Sequence, residues 1–151
     1  MHQSHYEIVI HAPREKVWKT MLEDATYREW TAVFNEGSYF KGDWSEGSKM
    51  LFLGPDPEHP DKEGGMVSMI EKNVPNEYIS IKHLGVMKDG VEDTTSDEVK
   101  KWTPSHENYT FTDVDGGTKV SVDMDVYEDY KAMFDEMWPK ALAKLKEIAE
   151  K

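Results

Sequence analysis

The stretch from Glu128 to Lys151 constrains this chain more than any other. Met133, Phe134, Met137, Trp138, Ala141, Leu142, Leu145 and Ile148 recur at three- and four-residue steps, so one helix carries them as a single apolar stripe. The rest of the sequence reads mostly as short strands. A helix about as long as a small domain is wide must bury that stripe against them. Large aromatics and methionines crowd its start. Such side chains fill a core or line a ligand cavity equally well, and their periodicity leaves both readings open.

Composition narrows the classes. The 151 residues suit one domain, and we read 1–151 as a single unit. The formal net charge of −12 repels phosphate backbones and anionic surfaces, which argues against nucleic-acid binding. No apolar run approaches the ~20 residues of a membrane span, so no membrane insertion is expected. Cysteine is absent, which removes disulfides, thiolate metal sites and thiol nucleophiles, and fits a reducing cytoplasm. A cytoplasmic location is the expectation, since Met1 to His5 lacks an apolar signal core.

Along the chain, Tyr6 to His11 alternates as a strand, and Pro13 then suits the start of a helix carrying Val17, Trp18, Met21 and Leu22 on one face. A second short helix is predicted over Thr26 to Val33. Strands are predicted at Ser38–Trp44, Lys49–Leu53, Gly65–Glu71, Tyr78–Leu84, Asn108–Val114 and Thr118–Val126. The prolines between Pro55 and Asp61 mark a loop. Gly85 to Pro104 is the least regular segment, either a flap near a cavity mouth or a plain surface loop. Asp113 to Gly117 supplies the turn of the clearest hairpin.

Several residues carry a family resemblance. Ile8-Val9-Ile10-His11-Ala12-Pro13-Arg14-Glu15-Lys16-Val17-Trp18, Tyr27-Arg28-Glu29-Trp30, Gly42-Asp43-Trp44-Ser45-Glu46-Gly47-Ser48 and Asp115-Gly116-Gly117-Thr118-Lys119-Val120 follow one another in a familiar order. The chain resembles the START-like, or SRPBCC (Bet v 1-like), superfamily, in its branch related to the activator of heat-shock-protein ATPase. The resemblance spans essentially the whole chain. It implies an α+β helix-grip fold: a curved antiparallel sheet of six or seven strands around a long C-terminal helix, with two short helices after the first strand. The superfamily includes lipid carriers, hormone receptors, cyclases and co-chaperone domains, so the fold does not select a function.

Tests for chemistry are mostly negative. No Gly-x-Ser-x-Gly elbow presents a serine, and no glycine-rich loop opens a helix to cradle phosphate. His2 and His5 have helical spacing but lie in a terminus expected to fray, and His59 lies in a proline loop, so no metal or cofactor is expected. Asp113-x-Asp115-Gly116 lacks the remaining ligands of a calcium loop. His83 is different, because strand phase places it inward with Ile79 and Ile81. A buried imidazole needs a partner, whether as a core residue, a ligand contact or a general base. Inward Tyr109, beside Phe111, offers a hydroxyl nearby.

The leading expectation is non-catalytic binding of a small lipophilic molecule between sheet and C-terminal helix. Trp30, Phe34, Met133, Phe134, Met137 and Trp138 would line the cavity, with His83 and Tyr109 as polar contacts. Two alternatives stay open: a co-chaperone-like module that binds a protein partner through its acidic surface, and a small-molecule cyclase or hydrolase using His83 as base.

Overall fold

The computed structural model describes residues 1–56 and 58–151. β1 (His2–Ile10) leads into α1 (Arg14–Leu22) and α2 (Asp24–Thr31). Pro13 caps α1 in an extended conformation, and Glu15 lies in the positive field of its first turn. There follow β2 (Tyr39–Lys41), β3 (Lys49–Pro55), β4 (Glu63–Val74), β5 (Tyr78–Lys88), β6 (Val91–Asp93), α3 (Asp97–Lys100), β7 (Ser105–Val114) and β8 (Gly117–Val126). A short 3-10 turn at Glu128–Tyr130 feeds α4 (Lys131–Ala149). The strands form one curved antiparallel sheet in the order β1-β8-β7-β5-β4-β3-β2, with β6 paired to β5. This is the helix-grip architecture expected from the sequence.

The differences have local causes. The sheet has eight strands rather than six or seven, because part of the segment read as irregular pairs with it. Val86, Met87 and Lys88 extend β5 by bonding to β4 on one side and β6 on the other, which satisfies backbone groups a loop would leave to water. α3 is a single turn capped by the Ser96 hydroxyl and anchored by buried Val99. The first residues do not fray: β1 starts at His2 and pairs with β8 along its whole length. β3 ends on Pro55 at the start of the expected proline loop, of which Pro57 lies outside the described residues.

The register fixes the two faces of the sheet. Tyr6, Val122, Tyr109 and Ile79 stand in one cross-strand row, and Ile8, Val120 and Phe111 in the next. These inner rows meet Trp138, Ala141, Leu142, Leu145 and Ala149, the buried residues of α4. α1 and α2 close one side with fully buried Val17, Met21 and Trp30. α4 runs on through Pro139, whose ring leaves the Asp135 carbonyl without its helical donor. Among the described residues, no helix is long and apolar enough to cross a membrane.

One close approach holds the β3–β4 pair together. Gly65 has φ of 154°, and a Cβ there would drive into the carbonyl oxygen of Phe52. Only glycine lets these two backbones come so near.

Candidate functional site

The inner face of the sheet is mostly apolar, and four of its polar side chains gather at one place. Between β4 and β5 the register passes from Val67 opposite Gly85 to Ser68 opposite His83, so Leu84 is an extra residue in a bulge. The bulge brings the Ser68 hydroxyl within 2.7 Å of His83 Nδ1. His83 Nε2 lies 3.1 Å from Glu107 Oε1 on β7, and the Tyr109 hydroxyl donates to the other oxygen of Glu107. Four polar side chains from three strands thus make one chain of hydrogen bonds.

Donor accounting assigns the protons. With His83 neutral, the Ser68 hydroxyl donates to Nδ1, Nε2–H donates to Glu107, and Tyr109 donates to Glu107. Every donor then has an acceptor and Glu107 keeps its charge. A doubly protonated His83 would strip the Ser68 hydroxyl of its acceptor. Burial, and then the Glu107 charge, pushes the phenol of Tyr109 far above its ordinary value. The same two causes act on Tyr27 of α2. Ser68 is 0% exposed, so this serine–histidine–glutamate run presents no nucleophile to a substrate. The side chains of His83 and Glu107 retain 11% and 17% exposure, so this part of the network is not fully sealed from solvent.

An aromatic cluster lies beside the network. The Trp138 ring is 5.0 Å from Phe34, 5.9 Å from Trp30, 6.0 Å from Tyr6 and 6.1 Å from Tyr109. Phe34 also meets Phe134 at 6.4 Å. Rings therefore occupy much of the space between the sheet and the start of α4. Of the expected lining residues, Trp30, Phe34, Tyr109, Phe134 and Trp138 come together, and His83 joins them through Glu107 and Tyr109. Met137 is half-buried, whereas Met133 is 40% exposed at the helix start. Trp30 Nε1 donates to the Met21 carbonyl at 3.0 Å. Trp138 is only 2% exposed, and its Nε1 has no hydrogen-bond partner among the described residues. Among the described residues the buried hydroxyl of Ser4, on the inner face of β1, also lacks a partner. Tyr6, next along that face, donates to Asp135 of α4 at 2.7 Å. Its phenol is pushed up to about 12, by burial first and then by that carboxylate.

Two concavities stand out elsewhere, and no residue of α4 lines either. One of about 490 Å³ runs between α1 and the sheet edge, past Trp18, Leu22, Trp44 and Asn73. Trp44 Nε1 and Asn73 Oδ1 are buried there without partners among the described residues. The other, about 300 Å³, lies mainly on the outer face around His5, His106, Asn108 and Asp123. His5 bridges Asp123 at 2.6 Å and Glu7 at 3.0 Å, and those bonds, Asp123 first, raise its pKa.

The sequence reading missed Ser68 and Glu107. Glu107 alternates with Tyr109 and Phe111, so period-two phasing would have found it had the strand been started at Ser105 rather than Asn108. Ser68 carried no such signal, because both phases of its strand are apolar and a bulge resets the register beside it.

The profile of the family described as "Activator of Hsp90 ATPase homolog 1-like protein" matches residues 11–150. No curated protein matches the chain. Among solved structures, the Aha1 dimer from Colwellia psychrerythraea is 16% identical with a TM-score of 0.70, covering 99% of this chain and 97% of that one. An AHSA1-like protein from Aeromonas hydrophila is 14% identical with a TM-score of 0.71, over 97% of this chain and 90% of that one. A protein from Nitrosomonas europaea is 13% identical with a TM-score of 0.72, over 96% and 92%. At these identities the likeness establishes the fold alone.

Proposed function

This chain belongs to the activator of Hsp90 ATPase homolog 1-like family, and we propose that it binds a small lipophilic molecule between its sheet and its C-terminal helix without transforming it. The unpartnered indole N–H of Trp138 carries this reading. A buried donor without an acceptor costs on the order of 1–3 kcal/mol, and native interiors rarely keep one. This donor lies among Tyr6, Trp30, Phe34 and Tyr109, in the grip itself. A ligand oxygen beside Trp138 would satisfy it while the ligand's apolar body displaces or spreads the rings. Half-buried Phe34, Phe134 and Met137 beside exposed Met133 form an apolar rim through which such a molecule would pass. In this reading 1–151 acts as one domain, and the cysteine-free chain suits a reducing cytoplasm.

Displacement of an environment-sensitive apolar fluorophore by a lipid panel tests the reading. Saturable binding with a negative heat-capacity change is expected, because apolar surface leaves water at about 25 cal/mol per Å². Trp138→Ala is expected to abolish it in a protein that still folds. Absence of saturable binding, or binding indifferent to Trp138→Ala, refutes it.

The surface favours a second reading, a protein-binding module. A net charge of −12 would steer the chain toward a basic partner, and one structural relative is an Aha1 dimer. Such binding would weaken steeply with salt, whereas apolar ligand binding would not. Catalysis by His83 draws no support from the geometry, since the hydroxyl on its Nδ1, that of Ser68, is fully buried.

A further inference from the structure

Resting on the ligand-binding reading, we infer that the grip selects amphiphiles whose head group is cationic and hydrogen-bond-donating, a protonated amine above all, and rejects carboxylates; the oxygen that accepts from Trp138 is then a separate, neutral group of the same ligand. The observation is the state of Glu107. Its side chain is 17% exposed, strand alternation with Tyr109 puts it on the inner face, and its oxygens accept from His83 Nε2 and Tyr109. No lysine or arginine among the described residues pairs with it, and His83 is its ion-pair partner by distance alone. The donor accounting keeps His83 neutral, because Ser68 would otherwise lose its acceptor. One negative charge therefore stands inside an otherwise apolar grip, held by neutral donors.

Charges removed from water are ordinarily paired, and a lone buried carboxylate is costly. A ligand cation would complete the pair. The neighbourhood is aromatic: the Phe52 ring stands 6.2 Å from His83, the residue that bonds Glu107, and Tyr27 stands 6.3 Å from Phe52. The negative field acts on the surroundings as well, since Glu107 helps to raise the phenols of both Tyr27 and Tyr109. A fatty-acid carboxylate placed there would meet like charge without a compensating cation, at reduced dielectric. The whole chain, at −12, adds to the discrimination through longer-range attraction.

The experiment measures displacement of a neutral apolar fluorophore by dodecylamine, dodecanol and dodecanoate, all below micelle formation at neutral pH. It uses the wild type, Glu107→Gln, Tyr109→Phe and, as surface control, Glu147→Gln. The expected order is amine over alcohol over carboxylate, with about tenfold between amine and carboxylate. Glu107→Gln should collapse that order, and Glu147→Gln should keep it. Tyr109→Phe removes one donor from the carboxylate without touching its charge, so it should hold or sharpen the amine preference. This keeps the test open should Glu107→Gln fail to fold. Equal binding of the three head groups, or tighter carboxylate binding, overturns the inference while leaving lipophilic binding intact. An amine preference that survives Glu107→Gln, or is lost in Tyr109→Phe, also overturns it. If neither the fluorophore nor any of the three compounds binds, the underlying ligand-binding reading fails instead.

Discussion

Trp138 of α4 and Trp30 of α2 face each other at 5.9 Å and 38°, yet among the described residues only one of the two indoles has a hydrogen-bond partner. Trp30 ties the second helix to the Met21 carbonyl at the end of the first, so its N–H is structural. The N–H of Trp138 contributes nothing to the fold that a phenyl ring could not.

This asymmetry is measurable in the unliganded protein. Trp30→Phe forfeits a buried hydrogen bond and leaves a carbonyl unpaired, a loss of about 1–3 kcal/mol before any packing change. Trp138→Phe removes an unsatisfied donor and should cost less than Trp30→Phe, although it loses similar volume. Trp138→Ala should cost about 3–5 kcal/mol through its cavity. Urea midpoints at unchanged slope check the order. A Trp138→Phe variant as damaged as Trp30→Phe would show that the Trp138 N–H is satisfied in solution.

The outer face should show a pH signature at His5. Its folded-state pKa is raised from 6.5, by the Asp123 hydrogen bond first and the Glu7 bond next, so folding favours the protonated ring. That contribution is fully present below about pH 6.5 and is lost as pH rises through the raised value. Glu7 is shifted the other way, below 4.5, chiefly by its bond to His5. Its contribution is present above about 4.5 and is lost as pH falls through the lowered value. The two overlap between about pH 4.5 and 6.5, where the β1–β8 edge should be best held. An NMR titration should find His5 above its ordinary value, and Asp123→Asn should bring it back most of the way.

Gly65→Ala tests the crossing of β3 and β4. The new Cβ would strike the Phe52 carbonyl oxygen in a backbone region that side chains rarely enter. A loss of about 3 kcal/mol or more in unfolding free energy is expected, with hydrogen-exchange protection falling first in β2 and β3. Gly47→Ala is the control for backbone strain alone, since its φ is 84° with nothing near the new methyl.

Much of this architecture was legible from periodicity. Trp138, Ala141, Leu142 and Leu145 announce a buried helical stripe, and Ile79, Ile81 and His83 announce a strand face. The legible parts are those where one face is wet and one is dry. Met133 belongs to the stripe by spacing but lies at the helix start, beyond the sheet that would cover it, and stays 40% exposed. The bulge at Leu84 was not legible, because an extra residue in a ladder leaves no trace in a run apolar in both phases. Glu107 was hidden for another reason: a charged residue reads as outward unless its partners are known, and those partners, His83 and Tyr109, come from β5 and from two residues along its own strand. The sequence therefore put His83 and Tyr109 on one face without the carboxylate that joins them.

The network itself can be tested for unity. Ser68 and Tyr109 do not hydrogen-bond each other; they are linked only through His83 and Glu107. If the four groups act as one unit, removing the Ser68 hydroxyl leaves His83 Nδ1 without its donor and loosens the ring that donates to Glu107. Removing the Tyr109 hydroxyl leaves His83 Nε2 as the remaining one of the two donors to Glu107, so the carboxylate depends on that ring alone. Each change thus alters the cost of the other. A double-mutant cycle of Ser68→Ala with Tyr109→Phe should show a coupling of about 0.5–1.5 kcal/mol in unfolding free energy, against near-additivity for groups without shared partners. The cycle repeated in a Glu107→Gln background should lose most of that coupling, because the charge that transmits it is gone. Additive single changes in the wild type would mean that His83 and Glu107 are held independently and that the hydrogen-bond chain is four local contacts rather than one device.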